Sequence, residues 1–281
     1  MQITVQKLFN LPFYTEGPAV DSERHLFFTA LTGGWVGKVD EKGEALQWAT
    51  AVCPNGQVIG PDGSHWFCDS KQRGILCFDV NGKPLPEPVM GQIAGEKIHT
   101  PNDLMLDSEG NLYFTDSLLT DGKVFFKGAD GNEKVVLRGI DYANGLALSN
   151  DERFLYVAES YQNRILRVEL AEPGVAAAKA EVFADLPTHV SGVISQNLPD
   201  GLAIDPQGNL WVAHYGMQAI QVLNSQGEWL FSLDTQLPLT SNLCFIEYQP
   251  ERQVLLVTGG YGEPGPGAVM VITVSHSSVI L

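Results

Sequence analysis

Apolar residues in this chain come in short paired runs, not at the three-to-four spacing of an amphipathic helix. Six segments begin with a side chain that carries oxygen, at Glu16, Asn55, Asn102, Asn144, Asp200 and Asn242, and each leads into an apolar run. A second run opens at Leu26, His65, Leu112, Leu155, Leu210 and Leu255, which is 10, 10, 10, 11, 10 and 13 residues later. Between the runs, at 21–24, 61–64, 107–111, 149–153, 205–209 and 249–252, stand Asp, Asn, Gly and Pro. These residues make turns because Gly and Asn tolerate positive φ and Pro fixes φ at a negative value. Each unit therefore reads as a hairpin, and most units continue into a third and a fourth strand, as at 74–79, 164–169 and 219–224.

The six key residues lie 39, 47, 42, 56 and 42 positions apart. Four strands repeated at that period make propeller blades, so the pattern predicts an all-β six-bladed β-propeller with four-stranded blades. The one helix-friendly run, 176–180, follows Pro173-Gly174 and reads as a loop. An early strand, Ile3 to Phe9, is expected to complete the last blade beside 268–274, which removes the open edges of that sheet. One domain over 1–281 is expected, with no linker.

The first strand of a blade lines the central channel, so the six key residues should ring one mouth of it. A single Asn-Gly or Asp-Gly is ordinarily a turn. Six oxygen-bearing side chains at one register, two of them carboxylates, describe a cation site. The donors are hard and include neither Cys nor His, which suits Ca²⁺, Mg²⁺ or Mn²⁺ better than a structural zinc. Strand alternation should turn Asp103 away from the axis. Asp69, Asp116 and Glu159 recur near the end of the second strand and read as structural hydrogen-bond partners, and His214 as a structural residue.

The chain has 281 residues, 17 basic and 33 acidic, for a net charge of −16. Such a surface repels nucleic-acid backbones and anionic lipid, so no nucleic acid and no membrane partner is expected. It would also help expel an anionic product. The start lacks a basic region followed by an apolar run. No stretch reaches the ~18 apolar residues of a membrane helix. Cys53, Cys68, Cys77 and Cys244 form no C-x-x-C pair or zinc spacing, so free thiols in a cytoplasmic protein are expected, as a monomer or weak homo-oligomer. There is no G-x-S-x-G elbow and no H-E-x-x-H helix. The glycine-rich run 259–267 leads into a strand and reads as a loop, not a phosphate cradle.

Four stretches resemble the SMP-30/gluconolactonase/luciferin-regenerating enzyme family. They are Glu16-Gly17-Pro18, Pro101-Asn102-Asp103-Leu104 with Tyr113-Phe114-Thr115-Asp116, Asn144-Gly145-Leu146-Ala147 with Leu155-Tyr156-Val157, and Pro199-Asp200-Gly201-Leu202 with Leu210-Trp211-Val212. The resemblance covers essentially the whole chain and implies a propeller with one catalytic divalent metal. It places the metal ligands on Glu16, Asn102, Asn144 and Asp200, and the acid/base role on Asp200. It makes Asn55 a contact for substrate or a bridging water, and Asn242 a structural residue. Ca²⁺ is the expected ion, with Zn²⁺, Mn²⁺, Mg²⁺ and Fe²⁺ as alternatives. His99 and His189 lie in loops at the expected mouth and are further candidates for substrate contact, and the long loop 188–198 for a pocket wall.

The implied activity is metal-dependent opening of a small lactone, a sugar lactone or similar, to its hydroxy acid. The run Ile98-His99-Thr100-Pro101 holds no arginine, where some sugar lactonases have one, so the resemblance does not extend to sugar specificity. Two other readings are a phosphotriesterase-like hydrolase on the same site and a non-catalytic calcium-binding propeller platform.

Overall fold

The computed structural model describes residues 1–86 and 88–276, so Glu87 and the last five positions of the expected 1–281 domain lie outside the described residues. Six antiparallel sheets are arranged as the blades of a propeller. Their inner strands are Thr15–Val20, Pro54–Ile59, Pro101–Leu106, Ala143–Leu148, Leu198–Ile204 and Leu239–Gln249. Blades 1, 2, 3 and 5 each follow with three strands in chain order. Blade 4 adds the two-residue strand Val175–Ala176, where the alanine run begins, which pairs with the third strand Arg164–Glu172, as the outer strand Glu181–Asp185 also does. Blade 6 takes its fourth strand from the start of the chain, with Gln2–Leu11 pairing antiparallel to Gly267–Ser275. The strand expected to close the ring does so.

The core fills the spaces between sheets. Phe28, Phe67, Phe114, Val157, Val212 and Val257 hold the same place on the second strands of the six blades, and each is 0% exposed. Burying one such side chain contributes roughly 1.5–3 kcal/mol relative to leaving it in water. Asp69, Asp116 and Glu159 pin the connections entering their blades. Asp69 Oδ2 accepts the N–H groups of Val52 and Cys53 at 2.8 and 3.0 Å, and Glu159 Oε1 accepts that of Asp141 at 2.8 Å.

Every inner strand carries a bulge near its start. In blade 3 Pro101 pairs with Asp116 but Leu104 pairs with Phe114, so three steps on one strand face two on the other. Matching irregularities occur in the other five blades. A bulge breaks the alternation of side chains, so two consecutive residues face the channel. Where the second of the two is glycine, the reason is room. A Cβ on Gly56 would stand 2.2 Å from Asp103 Oδ1, one on Gly145 2.2 Å from the Asp200 carbonyl, and one on Gly201 2.1 Å from Asn242 Oδ1.

Candidate active site

Glu16, Asn55, Asn102, Asn144 and Asp200 are the first residues of these bulges, and all five line one cavity of about 310 Å³ at the mouth where the inner strands begin. Each is only 5–9% exposed. The sixth position of the ring is Ser241. Thr240 pairs with Gly259 just as Pro101 pairs with Asp116, so Ser241 corresponds to Asn102 and Asn242 to Asp103. Ser241 Oγ donates to the Thr15 carbonyl at 2.9 Å and so joins blade 6 to blade 1.

Asn242 and Asp103 face the channel below the site. Asn242 Nδ2 donates to Asp103 Oδ2 at 3.4 Å, and both line a second cavity of about 340 Å³ that shares no lining residue with the first. The expectation that Asp103 turns away from the axis fails because the bulge cancels the alternation on which it rested.

The upper cavity is short of positive charge, with no Lys, Arg or His among its lining residues. Burial, and then the nearby Asp103 carboxylate, raise Glu16 to about 8. Burial, then Glu16, Asp103 and Glu263, hold Asp200 well above the usual carboxylate range, against the lowering effect of the Asn144 side chain. Asp103 is pushed up to about 7 by burial, with the Leu104 N–H and Asn242 opposing. Asn55 Oδ1 and Asn144 Oδ1 are buried and have no hydrogen-bond partner among the described residues. No cluster of three or more His, Cys, Asp and Glu suited to a metal stands among the described residues, so a cation here would rest on two carboxylates together with amide oxygens.

The walls are aromatic. Tyr142 and Tyr161 stand 5.4 Å apart by ring centroids on one side, and Tyr14 and Tyr215 6.4 Å apart on another. Tyr14 is fixed by a 3.0 Å bond from its hydroxyl to the Leu239 carbonyl. Tyr142 holds φ at 65°, a conformation rare for a bulky residue and common where surrounding structure fixes a functional side chain. Leu31, Ser160, Ser195, Leu198 and Glu263 complete the lining. Ser195 and Leu198 make the loop 188–198 a wall, as expected. The tyrosines and Glu263 were not singled out from the sequence, although a signal existed for some of the lining. Tyr14, Tyr142 and Leu198 each stand two residues before a ring residue, and residues two apart on a strand share a face.

Neither His99 nor His189 lines the cavity. His99 is exposed, and its main-chain N–H donates to Asp116 at 3.1 Å. The His189 ring bonds Ser191 Oγ at 2.8 Å. His214 is wholly buried at the blade-5 position corresponding to Asp69 and Asp116. A larger groove of about 580 Å³ runs along the outer strand of blade 3 and holds none of the ring residues.

Comparison with known proteins agrees with this fold. The sequence profile described as SMP-30/gluconolactonase/LRE-like region matches residues 14–260, which spans all five ring residues of the cavity. The chain belongs to this family. It is 32% identical over 224 residues to the lactonase drp35 of Staphylococcus haemolyticus, covering 75% of this chain and 66% of that protein. It is also 32% identical over 234 residues to a gluconolactonase of Zymomonas mobilis, covering 74% of this chain and 61% of that one. The chain thus matches about two thirds of the length of these curated relatives. In fold it is similar to a gluconolactonase of Xanthomonas campestris, with a TM-score of 0.80 and 26% identity over 96% of this chain and 89% of that one. A luciferin-regenerating enzyme gives a TM-score of 0.78 at 22% identity over 99% of this chain and 96% of that one, a likeness of fold. Among the described residues no helix is long and apolar enough to cross a membrane.

Proposed function

We propose that this protein hydrolyses a small lactone to its hydroxy acid with the help of one divalent cation, Ca²⁺ foremost, in the upper cavity. The observation that carries the reading is the pairing of two buried carboxylates with buried amide oxygens that have no partner, in a cavity without a cationic side chain. Unpaired buried oxygens are expensive, and a hard cation satisfies several at once. Glu16, Asn102, Asn144 and Asp200 would hold it. When bound, it supplies positive charge that stabilises the oxyanion formed as a lactone carbonyl is attacked. The named lactonase and gluconolactonase relatives support the choice of lactones.

The chain's own residues do the rest. Asp200 takes a proton from the attacking water and returns it to the ring oxygen as the ester bond breaks. Burial and the neighbouring carboxylates raise the proton affinity of Asp200, which suits it to take that proton. A bound cation would hold it in the charged form from which it can do so, at the cost of some of that basicity. Asn55 donates or accepts at the substrate edge, and the tyrosine walls hold the ring against water.

The test is acid release from a panel of sugar and aliphatic lactones, with Ca²⁺, Mn²⁺ or Zn²⁺ restored after chelation. Cation-dependent acid release that disappears in Asp200→Asn is expected. Equal turnover by chelated and Ca²⁺-restored protein would remove the cation from the mechanism. Silence of the restored protein on every lactone would remove the activity.

A further inference from the structure

We propose that Glu263 sets the charge preference of the cavity, admitting lactones with neutral or cationic substituents and turning away anionic ones; this rests on the lactonase reading above. The third carboxylate of the lining has no part in the ring and comes from the loop between the last two strands of the chain. That loop is anchored. The Pro264 carbonyl accepts the Tyr14 N–H at 2.8 Å and the Thr32 hydroxyl at 3.3 Å, and the Tyr261 N–H donates to the Pro266 carbonyl at 2.9 Å. The loop also packs closely, since a Cβ on Gly265 would stand 2.2 Å from the Pro12 carbonyl. The backbone that carries Glu263 is therefore held at the rim, and its carboxylate shares the cavity with Asp200, Glu16 and Tyr215.

The charge balance follows from the residues present. A divalent cation held by Glu16 and Asp200 offsets those two carboxylates. Glu263 then remains as one uncompensated negative charge, because the lining holds no Lys, Arg or His. Its field reaches the site. After burial it is the largest influence raising the hydroxyl of Tyr215, which shares the cavity lining with it. At protein-like dielectric, two like charges several ångströms apart repel by enough to change affinity about tenfold. Tyrosine hydroxyls suit hydroxyl-bearing substrates but cannot balance the negative charge of an anionic one.

The experiment uses the Ca²⁺-loaded full chain and three γ-butyrolactones. They carry a hydroxymethyl, a carboxylate or a trimethylammoniomethyl group on the ring carbon next to the ring oxygen. Expected is a kcat/KM for the neutral compound at least about tenfold above that for the carboxylate, with the cationic compound no worse than the neutral one. Glu263→Gln should shrink the neutral-to-anionic ratio by about tenfold, and Glu263→Lys should invert it. Glu41→Gln makes the same change in net charge at an exposed turn and should leave the ratio as it was. A ratio unmoved by Glu263→Gln, or moved equally by Glu41→Gln, would overturn the proposal. Binding of γ-hydroxybutyrate by calorimetry supplies a readout independent of turnover, expected to tighten about tenfold in Glu263→Gln. If no lactone is hydrolysed, the lactonase reading fails, and the calorimetric shift alone decides whether Glu263 repels anions.

Discussion

The two chambers of the channel are built from adjacent residues on five shared inner strands, with the sixth blade's inner strand lining only the lower one, and their chemistry differs. The upper one gathers Glu16, Asp200 and amide oxygens left without partners, inside a wall of tyrosines. The lower one is lined mainly by apolar residues such as Leu104, Leu146, Leu202, Leu243 and Phe245; of its polar residues Gln57, Asp103, Asn150 and Asn242, Asp103 and Asn242 face one another. One bulge per blade makes both. Its first residue lines the upper chamber in blades 1 to 5, and its second is glycine in blades 1, 2, 4 and 5 and a polar residue in blades 3 and 6. A polar ring walled by tyrosines above and a mainly apolar lining below separate a place for chemistry from a floor.

The sharpest way to break that contrast is Asp200→Asn. It should lower lactone hydrolysis by at least about a hundredfold while the circular dichroism of the propeller persists. Near-normal turnover would remove Asp200 from the proton transfer.

Next in size is Gly201→Ala. Its Cβ would press on the Asn242 side chain, and overpacking of this kind costs about 1–3 kcal/mol. Because the obstacle is a side chain, Asn242→Gly added to it should recover much of the loss in urea unfolding. Gly145→Ala meets the backbone of Asp200 and Gly201 instead, so the same second change should not help it. Equal rescue of both would show that the floor is not made by Asn242.

Removing divalent cations sharpens the contrast through pH. Folding raises Glu16 from 4.5 to about 8 and Asp103 from 3.8 to about 7. A carboxyl raised on folding binds more protons folded than unfolded. Its contribution is fully present below the unfolded value and is lost as pH rises to the folded one. The melting temperature of chelated protein should therefore fall between about pH 4 and 8, and saturating Ca²⁺ should flatten that fall. A chelated protein that is as stable at the upper end as at the lower would contradict the charge crowding.

The smallest effect is expected from Asp103→Asn, which keeps an acceptor for the Leu104 N–H and gives up the long 3.4 Å bond from Asn242 Nδ2. Activity should change by less than about tenfold and Ca²⁺ affinity should weaken modestly, because a negative charge nearby is lost. A loss as large as that of Asp200→Asn would move the chemistry into the lower chamber.

The repeat was legible because each strand pair advertises itself by turn chemistry and by spacing of 10 or 11 residues in five of the six units. Glu16, Asn55, Asn102, Asn144 and Asp200 were legible because each stands in the same place before its apolar run. The sixth unit misled by one residue. Asn242 has the expected side chain, whereas the true counterpart, Ser241, bonds the backbone and offers nothing to the cavity. Counted from Ser241 the spacing is 14 rather than 13, so the extra length belongs to the hairpin, with its second irregularity between Phe245 and Glu247, and did not reveal the shift. Asp103 was misplaced because alternation says nothing of bulges. Glu263 was invisible for another reason: a loop residue reaches the cavity only through the folding of its own connection, which no period along the chain encodes.

The Asp103–Asn242 floor has a kinetic meaning as well. A cavity with one doorway cannot load and unload at the same time, so each visitor must depart by its entrance before the next arrives. Hydroxy acid and lactone would then be mutually exclusive occupants, and inhibition by product would be strictly competitive.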